Sequence, residues 1–183
     1  MIKKDNLRKK YFLRRKTKYF NIKATFFNPL ENLISKNFKK KIINLSTYYP
    51  SSFEVNVNKL LDINLAKKHN IYLPSIMHKN DMKFCRWNKN ETLRINKFGM
   101  LEPPTFSDNV IPDIMLLPLL AFDKEKNRLG YGKGYYDKFL SKHLIKKKIL
   151  TVGIGFSFQE YSKIPSFNGD VKLDHILTEK GLF

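Results

Sequence analysis

The stretch Arg128–Leu140, RLGYGKGYYDKFL, sets Gly130, Gly132 and Gly134 on alternate positions and puts Lys133 between the last two. Tyr135, Tyr136 and Asp137 follow. Glycine tolerates positive φ and lets a backbone come close to a ligand. Successive amides in such a loop can point inward as an anion-binding concavity. The residues after Gly134 read as a helix, whose N-terminus favours phosphate. Lys133 adds a mobile positive charge. The arrangement suits phosphate chemistry, yet it departs from two common fingerprints. A Walker A loop needs Ser or Thr after its Gly-Lys pair, where Gly134 stands here; a G-x-G-x-x-G dinucleotide loop needs a third glycine where Tyr135 stands. A tight turn leading into a helix is the plainer account of the same spacing.

Other chemistry-bearing residues are sparse. His69, His78, His143 and His175 show no metal-ligand spacing and no evident Ser or Asp partner, so none is assigned catalysis. Cys85 is the only cysteine. It excludes an internal disulfide framework, suits a reducing cytosol and reads as a passive strand residue.

The chain has 183 residues, 42% of them apolar, and a net charge of +19. The length suits one domain over residues 1–183 with a sizeable core. The charge points first to a polyanion such as nucleic acid. Its make-up points away from one, with 29 Lys against 6 Arg, and 17 Asn besides. Base-edge and phosphate readers favour arginine's planar fork. The lysines therefore read as compositional drift on a solvated surface, with some attraction for small anions, and no specific nucleic-acid partner is expected. No run approaches the ~18 apolar residues of a membrane helix, so no membrane association is expected. The basic N-terminus lacks the apolar stretch of a secretory signal. Asp5 and the shortage of serine speak against a mitochondrial transit peptide. A cytoplasmic monomer is the expectation.

The elements that must position the glycine loop follow from apolar spacing. Residues 1–20 read as a basic helix with Leu7, Tyr11, Leu13 and Phe20 as its apolar stripe. A second helix, broken near Pro29, covers 23–38. KIINLSTYY (41–49) reads as a strand, and residues 56–70 as an amphipathic helix burying Val57, Leu60, Leu61 and Leu65. IYLPSI, MKFCRW, DIMLLP (113–118) and ILTVGIGFS (149–157) read as strands. The last two are nearly continuous apolar runs, the pattern of strands covered on both faces. A helix over 135–147 follows the glycines, its terminal lysines suiting the negative helix end. DVKLDHIL (170–177) reads as a final strand, and 97–109 as a long surface loop or connection. Alternating strands and helices imply an α/β sheet with helices on both faces.

The sequence DIMLLPLLAFDKEKNRLGYGKGYYDKFL strongly resembles the 5-formyltetrahydrofolate cyclo-ligase family. The resemblance is carried by Asp113–Pro118, then Ala121–Asp123, then Arg128–Asp137. It extends more thinly to KDNLR (Lys4–Arg8), YYPSSFEVN, MKFCRW, KFGMLEP and VKLDHIL. It implies a single-domain, three-layer α/β/α sandwich with a mostly parallel sheet. It also implies ATP- and Mg²⁺-dependent conversion of 5-formyltetrahydrofolate to 5,10-methenyltetrahydrofolate, with release of ADP and phosphate.

The resemblance further implies roles for individual residues. Lys4, Asp5, Asn6, Leu7 and Arg8 would contact ATP together with Arg128, Leu129, Gly130, Tyr131, Gly132, Lys133, Gly134, Tyr135 and Tyr136. Lys133 and Arg128 would act on the transferring phosphate, since phosphoryl transfer is catalysed by positioning and charge neutralisation. Glu54 would accept from the donor edge of the pterin, and Tyr131, Gly132, Lys133, Gly134 and Tyr135 would also face the folate. Trp87 and Phe84 read equally as pterin-stacking or as core aromatics. Asp137, close to bound phosphates, calls for a cation between them. Asp174 is expected as the second carboxylate on Mg²⁺, because a charge inside an apolar strand needs a partner. A basic nucleic-acid-binding or regulatory protein on the same fold is the alternative, and an ATP-dependent enzyme with another substrate is a third reading.

Overall fold

The computed structural model describes residues 4–39, 42–77, 81–104 and 110–183. His78, two lysines of the 39–41 tract and the end of the 97–109 segment lie outside the described residues.

Helix α1 (Lys4–Lys18) has Asp5 in its first turn and Arg15, Lys16 and Lys18 in its last, each complementing the helix dipole. Its buried face is Leu7, Tyr11 and Arg15, at i, i+4 and i+8. Leu13 and Phe20, expected on that stripe, are exposed, and an arginine takes the third inward place. Pro29 does not break the second helix. It sits in the first turn of α2 (Asn28–Asn37), where no amide donor is required, after a 3₁₀ turn over Ala24–Phe27.

β1 (Asn44–Ser46) is shorter than the expected strand. The expected amphipathic helix divides into a 3₁₀ turn, Val57–Asp62, and a short α3 (Asn64–Lys68), separated by an extended Ile63. β2 (Asn70–Ile76) and β3 (Met82–Arg86) form an antiparallel pair. β4 (Arg94–Ile95) and β5 (Leu101–Glu102) make a small hairpin where a loop was expected. β6 (Ile114–Pro118) leads into a second small hairpin, β7 (Ala121–Phe122) with β8 (Arg128–Leu129). Then come α4 (Tyr135–His143), β9 (Leu150–Ile154), β10 (His175–Thr178) and β11 (Gly181–Leu182).

The main sheet runs β11-β10-β9-β6-β1-β2-β3. Its five central strands are parallel and each edge strand is antiparallel to its neighbour. The apolar runs alternate between two cores. Ile114 and Leu116 of β6 pack on the side of α2, with Leu30, Leu33 and Ile34. Met115 and Leu117 pack on the side of α4, with Phe139 and Leu140. This is the expected single α/β domain with a sheet covered on both faces. A third cluster joins Leu7 and Tyr11 of α1 to Leu120, Ala121 and Leu129. It carries α1 beyond the carboxyl end of β6, over the hairpin that leads into the glycine loop.

Candidate active site

β1 lies between β2 and β6, so connections leave it in opposite directions along the sheet. Such a switch point opens a crevice beyond the carboxyl ends of the strands. A cleft of about 970 Å³ lies there, lined by Tyr48 and Tyr49 after β1, Pro74 and Ile76 of β2, and Pro118 at the end of β6. Small-molecule sites run to roughly 1,000 Å³, so the cleft has room for a large ligand or two adjoining ones.

One end of the cleft is cationic. Lys4 Nζ lies 2.6 Å from Asp170 Oδ2 and 4.3 Å from the ring centre of Phe167. Arg8 Nε donates to the Gly130 carbonyl at 3.0 Å, and its Nη1 bonds Asp5 Oδ1 at 2.5 Å. Gly132 takes φ +92°, and an added Cβ would stand 3.1 Å from the Arg8 guanidinium carbon. Glycine is needed there both for the conformation and for the close approach. Gly134, at φ +67°, caps α4, and the first amide bond into the helix runs from Lys138 N to the Gly134 carbonyl. The amides before it are left for an anion. Arg128 is nearly buried, lies over the Tyr136 ring and sits 2.8 Å from Asp137 Oδ1. Lys133 is exposed, with Nζ 5.5 Å from the ring centre of Phe98 on the β4–β5 hairpin.

The other end holds a buried carboxylate. Glu54 is 7% exposed and lines the cleft. Its Oε2 accepts from Ser51 N at 2.8 Å, and its Oε1 accepts from the Tyr131 hydroxyl at 2.5 Å. The turn presenting it holds Ser52 at φ 46° and Phe53 at φ 64°, a left-handed conformation that costs a non-glycine residue on the order of 1–2 kcal/mol. Tyr131 exposes its ring while its hydroxyl is enclosed between Glu54 and Arg15 Nη2. Burial raises the Glu54 carboxyl above its ordinary value, against the pull of the Tyr131 hydrogen bond, the Arg15 charge and Ser51. Burial, then the Glu54 charge, pushes Tyr48 and Tyr131 well above the usual phenol value, and Tyr136 rises for the same reasons. These tyrosines stay neutral while Glu54 titrates.

The expected site residues divide clearly. Lys4, Asp5, Arg8, Glu54 and every position from Arg128 to Asp137 line this one cleft. Asn6 and Leu7 do not. Leu7 is buried against Leu120 and Ala121 and anchors the helix. Phe84 and Trp87 are core aromatics outside the cleft. Phe84 packs edge-on against Phe139, and Trp87 Nε1 donates to the Glu91 carbonyl.

Asp174 is the main correction. Its Oδ2 accepts from both the amide and the hydroxyl of Thr151 at 2.8 Å. Thr151 lies near the amino end of β9, away from the cleft, so Asp174 already has partners at the wrong end of the sheet to join Asp137. Asp170, four residues earlier, does share the cleft with Asp137. Asp137 Oδ1 accepts from the amide of Val171, the residue after Asp170, at 3.3 Å. Asp170 follows Gly169, whose φ of +96° marks a turn. A loop carboxylate beside an Asn-Gly turn was the available signal. Tyr48 and Phe98 fall within YYPSSFEVN and KFGMLEP but had no role assigned, and nothing in the spacing of Arg15 distinguishes it from a surface residue.

The 5-formyltetrahydrofolate cyclo-ligase family model matches residues 3–179. A 5-formyltetrahydrofolate cyclo-ligase of Haemophilus influenzae is 33% identical over 153 residues, covering 80% of this chain and 79% of that protein. One of Mycoplasma genitalium is 33% identical over 181 residues, covering 97% and 98%. The NMR structure of Aquifex aeolicus 5,10-methenyltetrahydrofolate synthetase matches with a TM-score of 0.75 at 31% identity, over 98% of this chain and 91% of that one. With a match that takes in α1, the Glu54 turn, the glycine loop and Asp170 together, the chain belongs to the 5-formyltetrahydrofolate cyclo-ligase family.

Proposed function

We propose that the chain uses ATP and Mg²⁺ to convert 5-formyltetrahydrofolate to 5,10-methenyltetrahydrofolate, releasing ADP and phosphate, as a cytoplasmic monomer. The observation that carries this reading is the span of the segment 130–136. Its glycine backbone faces Arg8 and the start of α4 at one end, while the Tyr131 hydroxyl reaches Glu54 at the other. One loop therefore touches both a phosphate-type site and a site for a hydrogen-bond donor. No helix among the described residues is long and apolar enough to cross a membrane.

The formyl oxygen attacks the γ-phosphorus as the bond to ADP breaks. N10 then attacks the activated formyl carbon, loses its proton, and the carbon–oxygen bond to phosphate breaks. Little covalent chemistry falls to the protein, so its work is alignment and charge neutralisation. Amides of Gly130, Gly132 and Gly134 and the first turn of α4 hold phosphate oxygens. Lys133 follows the moving negative charge, and Lys4, Arg8 and Arg128 surround the polyphosphate. Glu54 accepts from the pterin, for which Oε1 keeps a second lone pair beside its Tyr131 bond.

Asp137 and Asp170 fit Mg²⁺, a hard ion that takes one or two carboxylates with phosphate oxygens and water. Two adjoining carboxylates, each now paired with a protein cation, are such a donor set. When bound, Mg²⁺ supplies charge neutralisation between these carboxylates and the phosphates. The test is the rise in methenyl-folate absorbance on mixing protein, Mg-ATP and 5-formyltetrahydrofolate. Folded protein that forms no product overturns the reading.

A further inference from the structure

We propose that Arg15 is a positioning residue for folate recognition: it clamps the Ser52–Phe53 turn and the Tyr131 hydroxyl so that Glu54 faces the cleft as a fixed acceptor. The inference rests on the role proposed above for Glu54. Arg15 is 1% exposed and is the third inward residue of α1, below Leu7 and Tyr11. A buried guanidinium is costly to desolvate and persists where its partners repay it. Both Nη2 protons are used, one to the Ser52 carbonyl at 2.7 Å and one to the Tyr131 hydroxyl at 2.6 Å. Nη1 reaches the Leu119 carbonyl, just past β6, at 3.3 Å, while Nε has no hydrogen-bond partner among the described residues. The orientation thus follows the turn and the tyrosine at the expense of full hydrogen bonding.

The contacts to Ser52 and Tyr131 bear on Glu54. Ser52 and Phe53 hold left-handed φ, and such backbone persists only where the surroundings over-determine it. The Ser52 carbonyl is the point at which Arg15 holds it. Tyr131 accepts from Arg15 and donates to Glu54 Oε1, so the phenol cannot rotate away without breaking two bonds. The chain guanidinium–phenol–carboxylate carries one positive and one negative charge, which compensate inside a buried region. Glu54 is also faced by Ser51 of its own turn, Tyr48 after β1 and Tyr136 of α4, with Arg128 behind Tyr136. Arg15 is the cation that acts on it from α1, and its charge favours the ionised carboxylate.

The test compares wild type, Arg15→Met and Arg15→Lys, with circular dichroism to establish folding. Arg15→Met should raise the KM for 5-formyltetrahydrofolate by roughly tenfold or more and leave the KM for ATP within about twofold. The acid limb of kcat/KM for folate should move to higher pH, because losing a nearby positive charge makes Glu54 harder to ionise. Arg15→Lys should return the acid limb toward wild type while recovering only part of the KM, since an ammonium lacks the fork that holds two acceptors at once. Equal rises in both KM values would make Arg15 a merely structural residue and overturn the inference. So would a folded Arg15→Met with wild-type folate KM and acid limb. If Arg15→Met does not fold, Tyr131→Phe cuts the same chain and should shift the acid limb in the same direction; an unmoved limb overturns the inference. Wild-type protein that makes no methenyl product would instead sink the functional reading, independently of these variants.

Discussion

Lys4 and Arg8 pair with carboxylates that solvent reaches: the Asp170 side chain is 35% exposed and that of Asp5 80%. Glu54, at the other end of the same cleft, is enclosed by Tyr48, Tyr131, Tyr136 and the buried Arg15. Exposed ion pairs contribute on the order of 0–1 kcal/mol, so the phosphate end can exchange its partners for a ligand at little cost. A buried carboxylate cannot, because moving it away from its donors leaves an uncompensated charge. One end is therefore adaptable and electrostatic. The other is rigid and geometric, as suits recognition of a flat ring edge by two or three directed hydrogen bonds.

The sharpest way to break this contrast is Glu54→Gln. Removing one member of a buried charge pair costs about 3–5 kcal/mol. kcat/KM for folate should fall by at least 10²-fold, by the same arithmetic, with the KM for ATP little changed. A parallel loss of ATP affinity in steady-state kinetics would show that the two ends are not separate. Next comes Lys133→Ala at the adaptable end. Lys133 is exposed and outside the core, so its loss should leave the melting temperature alone while lowering kcat by about 2–4 kcal/mol of transition-state stabilisation. An unchanged kcat would make it an ordinary loop lysine.

A third comparison sets three aspartates against one another. Asp137→Asn and Asp170→Asn should each raise the Mg²⁺ concentration for half-maximal activity by about 10- to 100-fold. Asp174→Asn should leave that concentration unchanged. It should instead lower stability by about 1 kcal/mol through its Thr151 bonds, or roughly 2–4 °C in Tm. Activity titrated with Mg²⁺ and thermal melts of the three variants separate these outcomes; a Mg²⁺ shift in Asp174→Asn alone would return the metal to that residue.

Glu54 also predicts a pH signature of smaller size. Burial raises its folded value above the unfolded one. A raised acid favours folding below the unfolded value, and that advantage is lost as pH rises through the folded value. Stability of wild type relative to Glu54→Gln should therefore decline across that window, while activity rises through it as the carboxylate ionises. Chemical denaturation of both proteins from pH 4 upward measures the difference, and a flat difference would mean that Glu54 is not the titrating group. The smallest effect belongs to the surface lysines. Binding to DNA or RNA should be weak, without sequence preference and lost in moderate salt, because only phosphate contacts are made. Tight sequence-selective binding in filter or anisotropy assays would give the +19 charge a function.

The local features were legible in the linear chain. The alternate glycines before α4 and the apolar runs of β6 and β9 act through neighbours in sequence: allowed φ and side-chain period. The family resemblance likewise rested on contiguous motifs around the loop. Legibility failed where the partner is distant. Arg15 carries no local sign that it is buried, because its acceptors lie 37, 104 and 116 residues away, on Ser52, Leu119 and Tyr131. Asp170 and Asp174 are four residues apart in one loop-to-strand segment, and either could have been the cleft carboxylate. Only the register of β10 on β9 gives Asp174 to Thr151 and leaves Asp170 beside Asp137. Sequence spacing encodes period and backbone freedom, whereas the partner of a charge depends on which strand ends the sheet brings together.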